Sequence, residues 1–357
     1  MRSIICRARS GESVGSTPCS AGGMLGVEKG TAMNMRRQLL VVLGASTFAS
    51  LARPQSVNIR RIGFLGATSY AGFKSRVDAL RAGLRELGYV EGKNVAIEFR
   101  WADGIYDRLP NLAAELVRLR VDVIVTGGTP GTRAAKQATT TIPIVMAVSG
   151  DAVATGLISS LPRPGGNITG TTYFDPELHA KRLQFLKEAV PRVAHVGVLI
   201  NPDNPQTMGT TLQSLRLAAE TLTLKLSLFE VRTADEFDGA FVAMAQSRAD
   251  AVTIADDGLF LANLGTVADM AEKRRLPSTG AKELAEAGGL IGYGVDFVGT
   301  YFRAAYFVDK ILKGTKPGDL PVQQPPSFEL VINLKTARAI GLALPQSLTA
   351  RATKVVQ

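Results

Sequence analysis

The sequence predicts an α/β protein made of two doubly wound, parallel-sheet lobes that face one another. Three observations carry this reading. Residues 61–172 and 195–296 repeat one order of elements, the strand-like runs are apolar throughout rather than alternating, and helix-length segments separate them. Continuous Val/Ile-rich runs imply burial on both faces, as in a parallel sheet covered by helices. Right-handed crossovers then wind each lobe in both directions.

Each copy opens on a short apolar run, 61–66 in the first and 195–200 in the second. A helical stretch follows. From Lys74 to Gly88 the residues Val77, Leu80, Leu84 and Leu87 fall at helical spacing, with Arg81, Arg85 and Glu86 on the other side and Gly88 as the stop. Next come runs that end in an acid, 95–103 and 226–235, and then the runs 121–125 and 249–253. Residues 107–119 place Leu109, Leu112, Leu116 and Leu119 on one face, and Leu212, Leu215, Ala219 and Leu222 do the same in the second copy. Such stripes are packing surfaces. The runs 142–145 and 276–279 follow, and the copies close on 165–170 and 288–293. Two similar lobes of this kind enclose a cleft.

With 357 residues, 46% of them hydrophobic, and 36 glycines, the chain builds a large core with many strand-to-helix turns. Of its 41 basic and 31 acidic side chains, six basic and two acidic ones lie in residues 1–52, so the remainder carries +6 rather than +10. These charges are spread along the chain without the blocks or arginine-aromatic interleaving that a nucleic-acid groove needs, so no nucleic-acid partner is expected. Cys6 and Cys19 are the only cysteines. His179 and His195 stand apart without a second ligand at metal-binding spacing, and structural roles are expected for both.

Residues 1–52 read as leader and signal peptide. Met35-Arg-Arg-Gln is a charged start, residues 39–45 are a short apolar core, and Ser50-Leu-Ala52 is a small-residue cleavage site, with Met33 and Met35 as alternative starts. The apolar run is too short to span a bilayer, and no later stretch reaches about 18 uninterrupted apolar residues. A periplasmic chain starting near Arg53 is expected. It has no cysteine at the cleavage site for a lipid anchor, and Arg36-Arg37 gives a partial twin-arginine pattern.

In doubly wound sheets the ligand-facing loops lie beyond the carboxyl ends of the strands. Here these are 67–72, 101–104, 126–132 and 148–151 in the first copy, and 201–204, 255–258 and 280–282 in the second. They are rich in hydroxyls, amides and glycine, and several lead into helices whose free N–H groups suit an anion. Residues 126–132 lack the spacing of a dinucleotide site and the Gly-Lys-Ser/Thr ending of a phosphate loop, so no cofactor is expected. No nucleophile elbow with a partner histidine occurs, which disfavours a serine hydrolase. Asp256-Asp257 is an adjacent pair whose side chains diverge, so one ligand contact beside one helix cap fits better than a paired acid/base device.

The segments Ile62-Gly-Phe-Leu, Leu84-Arg-Glu-Leu-Gly-Tyr-Val-Glu-Gly-Lys-Asn94, Asp122-Val-Ile-Val, Ile142-Pro-Ile-Val, Leu161-Pro-Arg-Pro-Gly-Gly-Asn-Ile-Thr-Gly170, Glu329-Leu-Val-Ile-Asn-Leu-Lys-Thr-Ala337 and Gly341-Leu-Ala-Leu-Pro-Gln-Ser347 stand out. Together they resemble the ABC transporter substrate-binding family that includes tryptophan- and tyrosine-binding proteins. One departure is Asp151-Ala152, where members often read Asp-Pro. The resemblance implies a type I periplasmic-binding fold whose lobes are joined by three crossings, near Thr171-Thr172, Val295-Asp296 and Ser327-Phe328. Residues 60–172 with 297–326 then form lobe 1, and 173–296 with 327–357 form lobe 2. It also implies a monomer that captures a small-molecule ligand and presents it to an ABC permease of the inner membrane, without catalysis.

The expected ligand contacts are Thr68, Ser69, Thr129, Ser149 and Asp151 from lobe 1 and Asn201, Asp256 and Tyr293 from lobe 2. Hydroxyls and loop amides would hold a carboxylate, and Asp256 or Asp151 an ammonium. Turn and cap chemistry is the competing role for each of them, and hinge packing for Tyr293. The aromatics Tyr70, Trp101, Tyr106, Phe174 and Tyr293 stand near predicted loop mouths. A two-lobed enzyme and a ligand-sensing module for a signalling partner are the rival readings.

Overall fold

A computed structural model describes residues 59–357 apart from Phe174. The expected signal segment, Cys6, Cys19 and Phe174 lie outside the described residues. Strands β1 (Arg60–Gly66), β2 (Val95–Trp101), β3 (Val123–Gly127), β4 (Ile144–Gly150) and β5 (Ile168–Tyr173) form one parallel sheet in the order β2-β1-β3-β4-β5. Strands β6 (His195–Ile200), β7 (Lys225–Glu230), β8 (Ala251–Ile254), β9 (Ser278–Gly280) and β10 (Ile291–Gly294) repeat that order in a second sheet, β7-β6-β8-β9-β10. The duplication read from the sequence is thus a duplication of topology. The second sheet is extended by β11 (Glu329–Asn333), antiparallel to β10, and β12 (Lys354–Val356), parallel to β11, so it is mixed rather than purely parallel.

The helices of the first lobe are α1 (Tyr70–Glu86), α2 (Leu109–Arg118) and α3 (Gly128–Ala138). The second lobe carries α4 (Asp175–Ala189), α5 (Leu212–Leu222), α6 (Phe237–Gln246), α7 (Gly258–Ala262), α8 (Leu264–Lys273) and α9 (Lys282–Glu286). Helix α10 (Phe297–Leu312) returns to pack on α1. Beside β5, Thr172 N–H donates to Gln323 O and Gln323 N–H to Gly170 O, each at 2.9 Å, before the chain re-enters the second sheet at β11. Each sheet is covered on both faces: β1, β3 and β4 by α1 and α10 on one side and by α2 and α3 on the other, the second sheet by α4 and α5 and by α6 and α8. Among the described residues no helix is long and apolar enough to cross a membrane.

Helix α1 starts at Tyr70, four residues before the expected start at Lys74, because Ser69 caps it by accepting from Gly72 N–H. It buries Phe73, Val77, Leu80 and Leu84, and the chain turns out at Gly88, where φ is +87°. Arg76 lies buried on the same face. The edge strand β7 alternates exposure and pairs on one side only, unlike the buried β6 and β8. His195 opens β6 and its Nε2 lies 2.8 Å from the Ser227 hydroxyl, while His179 is buried in α4.

Candidate functional site

The carboxyl ends of both sheets meet at a cavity of about 40 Å³, lined by Tyr106, Thr129, Ser149 and Tyr173 from the first lobe and by Asn204, Gln206, Asp256 and Asp257 from the second, among others. Hydrogen bonds cross it at three places among the described residues. The Tyr106 hydroxyl donates to Asp257 Oδ1 at 2.8 Å, the Thr129 hydroxyl to Gln206 Oε1 at 2.8 Å, and the Tyr173 hydroxyl to Asp256 Oδ2 at 3.5 Å. A water needs about 10–15 Å³ on this volume scale, so the closed cleft holds roughly three. A molecule of amino-acid size does not fit this volume as it stands.

Glycine sets the close approaches. A Cβ on Gly150 would stand 1.7 Å from Gln206 Nε2, and one on Gly127 would stand 1.9 Å from the Tyr301 hydroxyl. Both glycines end strands of the first sheet, where backbone and partner side chains share one small volume. Gly127 is also the N-cap of α3, and no side chain caps that helix, so the N–H groups of Gly128 and Thr129, two residues that line the cavity, are left without a side-chain acceptor, while Pro130 has no N–H to offer.

Of the residues expected from sequence, Thr129, Ser149 and Asp256 line the cavity. The hydroxyls of Thr129 and Ser149 lie 3.3 Å apart. Asn201 stands one layer back, donating to Asp257 Oδ1 at 3.2 Å. Thr68 is buried beside Gly258, and its hydroxyl has no partner among the described residues. The other three have different work. Ser69 is the exposed cap of α1. Asp151 closes a turn by accepting from Val153 and Ala154 N–H at 3.2 and 3.0 Å. Tyr293 packs its ring edge-on to Phe185 and tilted against Phe328, with centroids 5.1 and 6.0 Å apart, where the cores of the two lobes adjoin. β10 sets this ring against α4 and Phe328, and Tyr293 does not line the cavity. Tyr70 and Trp101 likewise pack with Phe99 on the first lobe.

The acids of the site are already engaged. Asp256 is clasped by Arg182 through Nη1–Oδ1 at 2.8 Å and Nη2–Oδ2 at 3.0 Å, and Arg182 Nε donates to Tyr293 O at 2.7 Å. Both side chains are buried, so each neutralises the other in a low-dielectric setting. Asp257 caps α7 through Leu259 N–H and also accepts from Tyr106, Asn201 and Asn204. Burial raises its carboxyl pKa, and these four donors oppose the rise. Burial, then the charge of Asp257, pushes the Tyr106 phenol well up.

Sequence reasoning missed Arg76, Arg182, Gln206 and Tyr301. A signal existed for Arg76, a cation three residues after Phe73 and one before Val77 on an apolar helical face. None existed for Gln206, which follows its strand-end loop by two residues and meets Thr129 only across the cleft.

The model of the ABC transporter substrate binding protein family matches residues 62–356. The tyrosine-binding protein of Clostridioides difficile is 27% identical over 261 residues, which cover 72% of this chain and 74% of that protein. A conserved domain protein from Vibrio cholerae superposes with a TM-score of 0.76 at 28% identity, covering 83% of this chain and 99% of the other. A Streptococcus pneumoniae ABC domain solved in complex with L-Trp gives a TM-score of 0.75 at 26% identity, covering 84% of this chain and all of the other.

Proposed function

The chain belongs to the ABC transporter substrate binding protein family, and from that premise we propose that it captures a small carboxylate-bearing solute, an amino acid or related carboxylate, between its lobes in the periplasm and delivers it to a membrane permease. The observation that carries this reading is the cavity between two topologically matched sheets, bridged by Tyr106–Asp257, Thr129–Gln206 and Tyr173–Asp256. Its lining is mostly apolar with a few convergent polar groups, the composition of a small-solute site. The uncapped start of α3, with the Thr129 and Ser149 hydroxyls, supplies donors for a carboxylate. The relatives named for tyrosine and crystallised with L-Trp fit a solute of that size.

Binding here is an equilibrium between parted and closed lobes. The solute bridges both half-sites and adds its contacts only to the closed form, so it shifts the population toward closure. No bond is made or broken. The closed surface is what a permease reads, and a monomer suffices.

Thermal unfolding of the purified chain with a panel of amino acids and related carboxylates tests this. A true ligand at 100 times its Kd stabilises by about 2.7 kcal/mol, or roughly 4 °C for a chain of this size, and is recovered unchanged. Consumption of the ligand, or no stabilisation by any member of the panel, defeats the reading.

A further inference from the structure

Two arginines are buried among the described residues, Arg76 lining the cavity and Arg182 behind its Asp256 wall, and of these Arg182 alone is in a salt bridge there. Arg182 is clasped by Asp256. Arg76 lines the cavity at 4% exposure and forms no salt bridge among the described residues. Its guanidinium lies over the Phe73 ring, 4.8 Å from the centroid, and makes one long hydrogen bond, Nη1 to Gly72 O at 3.4 Å. A guanidinium carries five N–H donors in a fork that fits a carboxylate. At 4% exposure these donors have only the few waters of the cavity to bond, which offset the charge poorly, so an anion entering the cavity would find them open. The charge of Arg76 does reach Glu283, but that carboxylate accepts from Phe297 N–H at 3.0 Å rather than from the guanidinium.

A second donor is unspent in the same place. Tyr301 is 1% exposed, lines the cavity, and its hydroxyl makes no hydrogen bond among the described residues. That hydroxyl sits against Gly127 at the uncapped start of α3. The acids facing these donors are committed, since both oxygens of Asp256 are held by Arg182 and Asp257 has four donors. A ligand ammonium would have to compete with Arg182 for a carboxylate, whereas a ligand carboxylate finds a cation with open donors.

We propose that Arg76 is the carboxylate anchor of this site and that the solute class is an organic anion with an apolar or aromatic body, for which an ammonium group adds little affinity. The walls beside the anchor, Phe73, Val148, Tyr173, Leu261 and Phe297, suit that body. This rests on the solute-binding reading above and narrows it.

Calorimetric titration of the unaltered chain with L-tyrosine, 3-(4-hydroxyphenyl)propionate and tyramine separates the two charges on one skeleton. The propionate is expected to bind within about 3-fold of tyrosine or tighter, and tyramine about 100-fold more weakly. Arg76→Leu is expected to weaken both carboxylates about 10- to 100-fold while leaving the unfolding midpoint of the ligand-free chain unchanged or raised, and Arg76→Lys to fall between. Tyrosine binding with the propionate 100-fold weaker, or Arg76→Leu binding as tightly as the unaltered chain, overturns the anchor and leaves the solute-binding reading standing. If neither these compounds nor the wider panel of amino acids and carboxylates bind, the reading itself fails and the anchor with it. The ranking on the unaltered chain decides even where a variant does not fold.

Discussion

Tyr106 of the first lobe and Asp257 of the second share a hydrogen bond of 2.8 Å in a buried setting, although 151 residues separate them. Asp257 is also the cap of α7 and the acceptor for Asn201 and Asn204, so one carboxylate ties a helix start, a strand-end loop and the opposite lobe together. Lobe closure is thereby linked to local order in the second lobe.

Tyr106→Phe should loosen closure without unfolding either lobe. A hydrogen bond to a charged group contributes about 1.5–3 kcal/mol, and Asp257 keeps three donors after the change, so the parted form should gain roughly 10- to 150-fold. A pair of distance labels, one on each lobe, would read a longer mean separation in the ligand-free chain. An unchanged distance distribution would mean that the contact does not govern closure.

The Arg182–Asp256 pair should behave as a buried ion pair does when one member is lost. Arg182→Met or Asp256→Asn leaves the other group desolvated with its partner gone or weakened, which costs about 3–5 kcal/mol. The double change to Met and Leu should cost less than the worse single one. Urea unfolding of the three variants checks the order, and a double variant weaker than both singles would contradict it.

The sheets were legible in the sequence because burial on both faces writes a continuous apolar run, and the order of runs in one copy could be checked against the other. Boundaries moved where packing outran composition: α1 begins at Tyr70 through its Ser69 cap, four residues before the stripe at Lys74 suggests. The site was legible only in part. Ser149 sits at the carboxyl end of β4, and Thr129 and Asp256 come two residues after β3 and β8, so all three line the cavity where the topology sends strand ends. Ser69 and Asp151 follow strands equally well, yet their oxygens bond N–H groups two or three residues onward, the competing use open to any short polar side chain in a turn. Arg182, in mid-helix, reaches Asp256 only through the tertiary fold, and nothing local in either residue forecasts the meeting.

Gly150 should not tolerate a side chain while Gln206 keeps its present seat. A Cβ at 150 would lie 1.7 Å from Gln206 Nε2, but the amide is the end of a flexible chain and can swing away. The cost is the bond from Thr129 to Gln206, so Gly150→Ala should mimic Gln206→Ala, each weakening closure by about 0.5–1.5 kcal/mol. Combined, the two should cost little more than one. Additive losses in the two-label assay would show that the substitutions act through different contacts.

Glu283 should make stability fall as pH rises from about 4.5 to about 7. Burial raises its carboxyl from 4.5 to about 7, against the opposing charges of Arg76 and Lys282 and hydrogen bonds from backbone N–H groups, and its Oε2 has no partner among the described residues. Between those two values the folded chain keeps a proton that the unfolded chain has released, so folding is favoured by the acid form. The contribution is complete below pH 4.5, declines as pH rises through 7, and is gone above it. At 1.4 kcal/mol per pH unit the full span is about 3 kcal/mol. Glu283→Gln keeps an oxygen to accept from Phe297 N–H and removes the titration. Urea midpoints for both proteins at mildly acidic, neutral and mildly alkaline pH should converge at the acid end. They should separate at the alkaline end, with the glutamine variant the more stable by up to about 3 kcal/mol. Because other groups titrate alike in both, the difference between the curves isolates this one, and parallel curves would mean that the Glu283 carboxylate is solvated after all.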